Sequence, residues 1–87
     1  MHYVYILRCA DGCLYVGETA DFDQRMADHQ EGSACAFTRR RRPVELAHLE
    51  QFGSRGAALE RERQLKRWTR VKKEALISGN LALLKRL

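Results

Sequence analysis

The sequence has no apolar run of the roughly 18 residues that a membrane-spanning helix needs, which argues against a transmembrane segment. The N-terminal stretch MHYVYILRCADG has no basic segment ahead of its short apolar run and no small-residue cleavage site, so a signal peptide is not expected. The cysteines are Cys9, Cys13 and Cys35, an odd number that argues against a disulfide framework. These absences predict a cytoplasmic protein that does not contact a membrane.

The chain also lacks internal repeats and low-complexity segments. A length of 87 residues predicts one domain, spanning residues 1–87. A domain of this size buries only about 60–65% of the surface that its unfolded chain exposes, so it can build one modest core.

Positive charge is concentrated in the second part of the sequence. Residues 1–36 carry two basic and six acidic side chains, whereas residues 37–87 carry fourteen basic and five acidic ones. A field of one sign on one part of a small protein suits a polyanionic partner. A merely solubilising surface would have the same composition, so charge alone does not decide between the two.

The first elements predicted are two strands, residues 2–9 and 13–17, joined by Ala10-Asp11-Gly12. Gly12 can adopt the left-handed backbone that the last position of a three-residue hairpin loop requires. Such a loop pairs Tyr5 with Gly17.

The same loop length pairs Leu7 with Tyr15. Tyr5, Leu7 and Tyr15 then share one face of the sheet, whereas a two-residue loop would put the two tyrosines on opposite faces. We therefore predict the three-residue loop.

The remaining pattern predicts an α+β fold, with a small three-stranded, mostly antiparallel sheet flanked by helices in the order β-β-α-β-α-α. The first helix has Asp21 as its N-cap and Gly32 as its C-terminal stop. The other predicted segments are a helix over 21–31, a loop over 33–43, a strand over 44–52, helices over 55–68 and 70–77, and a short apolar turn over 81–87.

Helix 55–68 carries a carboxylate in an unusual position. Ala58, Leu59 and Leu65 define its apolar stripe, and Glu62 lies in the middle of that stripe. A carboxylate that faces a core is costly unless it is paired or binds a metal. Glu62 is therefore either a metal ligand at the edge of the sheet or half of an ion pair with Arg25 or another arginine.

An ordered set of residues resembles the GIY-YIG nuclease superfamily, which includes the N-terminal nuclease domain of UvrC, Slx-type endonucleases and small single-domain bacterial proteins. Tyr3-Val4-Tyr5 matches the GIY element, and Tyr15-Val16-Gly17 matches the YIG element. Arg25 matches the family's helix arginine, Glu62 its metal-binding glutamate, and His29 a histidine of some members. The resemblance covers roughly residues 3–77.

The resemblance implies a metal-dependent endonuclease with one divalent ion, Mg²⁺ or Mn²⁺, on Glu62. Tyr5 would act as general base or position the water, Arg25 would hold the scissile phosphate, and Tyr15 would orient either Tyr5 or the phosphate by hydrogen bonding. The implied catalytic residues are Tyr5, Tyr15, Arg25 and Glu62, with His29 and Glu18 as accessory candidates. Glu18 stands where UvrC-like domains have a lysine, so it would either repel a phosphate or help to hold the metal.

The implied partner is nucleic acid, with DNA favoured over RNA and a role in DNA repair or recombination. A protein partner could supply substrate specificity, since the sequence has no separate recognition domain. Trp68 lies among the basic residues and either stacks on a base or covers the core, the second being favoured. The expected nucleic-acid-binding residues are Arg39, Arg40, Arg41, Arg42, Lys66, Arg67, Arg70, Lys72 and Lys73.

Three other functions stay open at this point. The first is a nucleic-acid-binding module of the same fold with weak or no catalysis. The second is a zinc site built from Cys9, Cys13, His29 and Cys35, although the first two of these flank a tight hairpin. The third is a protein–protein adaptor.

Overall fold

The computed structural model describes residues 1–86, which form a three-stranded sheet and five helices. The strands are β1 (His2–Cys9), β2 (Leu14–Thr19) and β3 (Val44–Phe52), in the order β2-β1-β3. Both pairs of neighbouring strands are antiparallel. This architecture confirms the predicted α+β class.

Helices α1, α3 and α4 begin and end close to the predicted residues, and a short helix, α5, forms where a last apolar turn was predicted. Asp21, Ser54 and Thr69 cap the first turns of α1, α3 and α4 by accepting a hydrogen bond from a backbone N–H three residues on. No helix within residues 1–86 combines the length and the apolar character needed to cross a membrane. The bounds are α1 (Phe22–Glu31), α2 (Ala36–Arg39), α3 (Arg55–Arg67), α4 (Arg70–Ser78) and α5 (Leu81–Arg86); Leu87, part of the predicted last turn, lies outside the described residues.

The hairpin has the predicted three-residue loop. Gly12 has a φ of 87°, and its N–H donates to the Cys9 carbonyl oxygen. Tyr5 pairs with Gly17, and β2 continues two residues beyond its predicted end, to Thr19. The ladder therefore runs through Gly17, at which the predicted strand ended.

The sheet separates two apolar clusters. Val4, Ile6 and Val16 pack on one face against Ala58 and Leu65 of α3. The opposite face buries Tyr5, Leu7, Cys9 and Val44, with partly buried side chains of the hairpin and α1 packed on them; these are Cys13, Tyr15, Phe22 and Met26. The predicted functional tyrosines therefore lie under α1, on the face away from α3.

The prediction of an unbroken loop over 33–43 is wrong, because α2 lies within it. Four residues are too few to show a helical period in the sequence. Arginines from this segment secure the end of α1: Arg39 Nε donates to the Gly32 carbonyl oxygen, and Arg42 Nη1 donates to the carbonyls of Gln30 and Glu31. They occupy carbonyls that have no partner within the helix.

Arg42→Ala should lower the free energy of unfolding by about 1 kcal/mol, since it removes donors from the C-terminal carbonyls of α1. Arg40→Ala is the matched control, because the Arg40 side chain makes no hydrogen bond or ion pair within residues 1–86. Urea unfolding of both variants measures the difference, and equal stabilities would contradict the structural role of Arg42.

Candidate active site

The ring of Tyr5 lies directly over Gly17 of the neighbouring strand. A Cβ atom on Gly17 would overlap the Tyr5 Cζ and Oη atoms. The absence of a side chain at Gly17 therefore lets the Tyr5 ring extend across β2, which is an edge strand. This places the Tyr5 hydroxyl near the edge of the sheet although the side chain is almost completely buried.

A buried hydrogen-bonded chain starts at this hydroxyl. The Tyr5 hydroxyl lies 2.9 Å from His29 Nε2, and His29 Nδ1 lies 2.9 Å from Thr38 Oγ1. Burial, followed by the charge of Arg25, lowers the pKa of His29, so the imidazole is neutral at neutral pH. A neutral ring has one nitrogen that donates and one that accepts, so it can receive a proton from Tyr5.

The chain continues to the second tyrosine. Thr38 Oγ1 lies 3.4 Å from Cys35 Sγ, and the Cys35 side chain lies near enough to Tyr15 to raise the pKa of that tyrosine, after the larger effect of burial. Burial raises the pKa of the Cys35 thiol, but hydrogen bonds from Thr38, Tyr15 and Phe37 outweigh it and hold this pKa below its usual value. Tyr15 and Tyr5 are also in ring contact, with centroids 6.4 Å apart.

Arg25 and Glu62 act on both tyrosines from different elements. The charge of Glu62 raises, and that of Arg25 lowers, the pKa values of Tyr5 and Tyr15. Glu62 comes from α3, which packs on the other face of the sheet and also contacts β2. Arg25 and Glu62 therefore both lie near enough to Tyr5 and Tyr15 for their charges to affect the pKa values of the two hydroxyls.

Burial decides the protonation of the two tyrosines. It raises the pKa of Tyr15 to about 12 and raises that of Tyr5 further above its usual value, each against the opposing charge of Arg25. Both hydroxyls are therefore protonated at neutral pH, and His29 is the hydrogen-bonded neighbour that could take a proton from Tyr5.

Glu62 is paired neither with Arg25 nor with any other arginine among residues 1–86. Its one ion-pair contact is with Lys66 on the same helix, at 3.7 Å, and its side chain is 18% exposed. Arg25 forms no ion pair within the same residues. The carboxylate and the guanidinium are therefore both available to a ligand.

Other candidate residues have different surroundings. Glu18 alternates away from Tyr15 and Gly17 onto the face of the sheet that α3 covers, and its carboxylate lies 3.4 Å from His2 Nδ1. Within residues 1–86, no three His, Cys, Asp or Glu side chains are placed to hold one metal ion. The zinc alternative is therefore wrong, because the separate thiols and His29 do not converge as ligands.

The arginine run has mixed roles. Arg39 and Arg42 donate to carbonyls at the end of α1, as described above. Arg41 lies 3.1 Å from the Asp11 carboxylate, donates to the Phe37 carbonyl oxygen and covers the Phe37 ring. Among the four arginines, only Arg40 is exposed without a side-chain hydrogen bond or ion pair within residues 1–86.

The second basic group surrounds the start of α4. Lys72 Nζ lies 4.4 Å from the Trp68 ring centroid, and Trp68 packs against the core cluster under α3, as expected. Arg70 Nη2 donates to the Gly12 carbonyl oxygen at 2.7 Å. Arg67 is exposed, and Lys73 lines a cleft together with Arg70.

Sequence reasoning missed Phe37 and Thr38 near the tyrosines, and considered the third such residue, Cys35, only as a zinc ligand. All three belong to α2 or its N-cap. Thr38 is fully buried although it lies in a polar, arginine-rich segment, so no hydrophobic pattern marked it. The one feature that marks Thr38 is its hydrogen bond to His29, nine residues earlier in the chain, and this contact depends on the tertiary structure.

Comparison with known proteins gives consistent matches. The sequence model of the GIY-YIG catalytic domain matches residues 1–75. A UPF0213 protein of Natronomonas pharaonis is 48% identical over 77 residues, covering 88% of this chain and 91% of that protein. A UPF0213 protein of Bacillus pumilus is 46% identical over 76 residues, covering 87% of this chain and 78% of that protein.

One solved structure is also similar. It is the solution NMR structure of a UPF0213 protein from Bacillus halodurans, with 43% sequence identity and a TM-score of 0.60. The match covers 88% of this chain and 82% of that chain. The fold described here is therefore shared with that protein.

Gly17→Ala should displace the Tyr5 ring and break its hydrogen bond to His29, at a cost of about 1–3 kcal/mol in the free energy of unfolding. Gly56→Ala is the matched control, since nothing lies within 4 Å of a Cβ atom there. Urea unfolding, with the NMR signals of the His29 ring as a local reporter, distinguishes the two. An undisturbed His29 in Gly17→Ala would contradict the packing described.

The lowered pKa of His29 makes stability depend on pH. In the unfolded chain His29 titrates near 6.5, whereas the folded protein resists protonating it, so the unfolded state binds more protons as the pH falls below that value. The free energy of unfolding should therefore fall between pH 7 and 5. His29→Gln should flatten this dependence, measured by urea unfolding across the range; an unchanged slope would rule out His29 as the source.

Proposed function

Since the chain belongs to the GIY-YIG catalytic domain family, we propose that it is a divalent-metal-dependent endonuclease that hydrolyses phosphodiester bonds in nucleic acid, with DNA preferred over RNA. The observation that supports this proposal is that the charges of Arg25 and Glu62 act on both Tyr5 and Tyr15, while the arginine and the glutamate are not paired to each other. A site that only stabilised the fold would pair these opposite charges.

The site fits Mg²⁺ or Mn²⁺ held by Glu62. Mg²⁺ prefers oxygen ligands and keeps several waters, so one protein carboxylate can suffice. Glu62 is partly exposed and has only a long contact to Lys66, which leaves its oxygens free to bind an ion. When bound, the ion would neutralise charge that develops on the phosphate and the leaving oxygen.

Tyr5 and His29 can move a proton together. In the tautomer with hydrogen on Nδ1, His29 donates to Thr38 Oγ1 and accepts from the Tyr5 hydroxyl at Nε2. The Tyr5 oxygen can then take a proton from the attacking water while its own proton passes to His29. This route replaces a buried phenolate with an imidazolium on His29, which burial and the charge of Arg25 disfavour in the protein alone and which the negative charge of a bound phosphate would favour.

Arg25 and Tyr15 complete the site. The guanidinium of Arg25 would bind the scissile phosphate through charge-assisted hydrogen bonds. Tyr15, whose pKa is about 12, stays protonated at neutral pH and can donate a hydrogen bond to orient that phosphate. Arg40, Arg67 and Lys73 are exposed or cleft-lining cations that could hold the flanking backbone.

Nicking of supercoiled plasmid in Mg²⁺ or Mn²⁺ tests the proposal. Tyr5→Phe and Glu62→Gln should each slow nicking about 10²- to 10⁴-fold, the usual contribution of an acid–base group, because they remove the proton acceptor and the metal ligand. Tyr3→Phe and Glu60→Gln are matched controls on the same strand and helix, and should nick like the wild type.

Equal nicking by all five proteins would show that the site assignment is wrong. Salt-sensitive binding with no cleavage of any DNA or RNA, linear or branched, would support a nucleic-acid-binding module of the same fold. The same panel of substrates would show whether DNA is preferred and whether a role in repair or recombination is consistent with the cleavage pattern.

A further inference from the structure

The hydrogen-bonded chain behind Tyr5 has one buried end and one end that solvent reaches. It runs from the Tyr5 hydroxyl to His29 Nε2, from His29 Nδ1 to Thr38 Oγ1 and on to Cys35 Sγ, over distances of 2.9, 2.9 and 3.4 Å. Tyr5, His29 and Thr38 are at most 1% exposed. Cys35 is only partly buried, so the last atom of the chain, a sulfur, lies in its least buried residue.

The four groups of this chain carry one hydrogen more than its three contacts can use. Each hydroxyl and the thiol has one hydrogen, and a neutral imidazole has one, on either Nδ1 or Nε2. A contact becomes a hydrogen bond only if one hydrogen lies in it. Because His29 donates in one direction or the other, the unused hydrogen belongs to Tyr5, Thr38 or Cys35. In the first case His29 carries its hydrogen on Nε2, and in the other two on Nδ1.

The unused hydrogen is least costly on Cys35. Among residues 1–86, the Tyr5 hydroxyl has no hydrogen-bond partner except His29, and the Thr38 hydroxyl has only His29 and Cys35. An O–H left over on Tyr5 or Thr38 would be buried without an acceptor, which is destabilising. A thiol is a weak donor, and the Cys35 side chain reaches solvent. Thr38 therefore donates to Cys35 and accepts from His29 Nδ1.

Ionisation of Cys35 would favour the same direction. Burial raises the pKa of the Cys35 thiol, but hydrogen bonds from Thr38 and other donors outweigh it and hold this pKa below its usual value. A thiolate only accepts hydrogen bonds, so the Thr38 hydrogen points to the sulfur in either state of Cys35. Cys35 is the N-cap of α2 and Thr38 is its third residue, so one turn of helix keeps the two groups together.

We propose that Thr38 is a positioning residue, which fixes the hydrogen of His29 on Nδ1 by donating its own to Cys35, and so leaves Nε2 free to accept the proton of Tyr5. The position of this hydrogen is independent of nuclease activity, whereas its use in proton transfer rests on the proposed function. In that transfer the Tyr5 O–H bond breaks, an Nε2–H bond forms, and the proton of the attacking water replaces the one that Tyr5 loses. With its hydrogen on Nε2 instead, His29 would donate to Tyr5 and could not take this proton.

Thr38 also stabilises the product of this transfer. The protonated ring of His29 donates from Nδ1 to Thr38 Oγ1, and this oxygen accepts more strongly because its own hydrogen is bonded to sulfur. The contact offsets part of the burial that disfavours an imidazolium at His29. Removal of the Thr38 hydroxyl should therefore change the rate of the reaction and not the affinity for nucleic acid.

The ¹⁵N NMR signals of the histidine rings test the position of the hydrogen without any substrate. Above the pH range in which histidine titrates, they show whether Nδ1 or Nε2 bears the hydrogen, and His29→Gln identifies the signals of His29. The wild type should have a single Nδ1–H tautomer. Thr38→Val and Cys35→Ala should give a mixture of tautomers, because a buried donor is then unpaired whichever nitrogen bears the hydrogen. Thr38→Ser, which keeps the hydroxyl, and Cys13→Ala, which removes a thiol outside the chain, should resemble the wild type.

The kinetics of plasmid nicking in Mg²⁺ test the use of this hydrogen in the reaction. Thr38→Val should lower kcat about 10- to 100-fold, the usual effect of removing a group that orients a functional histidine, and leave KM unchanged. Thr38→Ser should restore most of the rate, because it keeps the hydroxyl and loses only the methyl group. The serine variant also keeps the test valid if the valine variant is poorly folded.

An Nε2–H tautomer of His29 in the wild type would overturn the inference, whether or not the protein nicks DNA. A single Nδ1–H tautomer that persists in both Thr38→Val and Cys35→Ala would overturn it as well. Nicking by Thr38→Val at the wild-type rate, with an altered tautomer, would overturn the role in proton transfer. The expected tautomers without cleavage of any substrate would support the positioning by Thr38 and overturn the proposed nuclease function.

Discussion

The close contact between the Tyr5 ring and Gly17 is the constraint on which the candidate site depends. It requires a strand register that pairs these two residues, and that register requires the three-residue loop with Gly12 at a φ of 87°. The ring then extends across β2 and brings the Tyr5 hydroxyl to His29. The Tyr5 hydroxyl can therefore reach His29 only when the hairpin and helix α1 have formed and when residue 17 is a glycine.

The second constraint is electrostatic. The sheet keeps Arg25 and Glu62 on different helices and different faces, close enough to affect both tyrosines yet not joined in an ion pair. Direct pairing would leave neither charge for a ligand. Because they are not paired to each other, the Glu62 carboxylate and the Arg25 guanidinium both remain available near the protonated hydroxyls of Tyr5 and Tyr15. This arrangement is suited to binding a metal ion and a phosphate side by side.

The features that could be predicted from the sequence are those that depend on residues close together in the chain. Loop length determined the hairpin register, helix caps marked α1, α3 and α4, and the helical period singled out Glu62. The sequence did not reveal α2, whose four residues show no period, nor the contact of Thr38 with His29, which depends on tertiary packing. The arginine run suggested a binding surface because composition does not show which guanidinium groups bond to backbone carbonyls.

The arginine run also changes how the charge of this protein should be counted. A cation that contacts a phosphate displaces a condensed counterion from DNA, and the number displaced determines how steeply affinity falls with salt. Arg39, Arg41 and Arg42 already direct N–H groups at backbone carbonyls, so they attract a polyanion from a distance more than they contact it. The run of four should therefore release about one counterion, through Arg40, and not four.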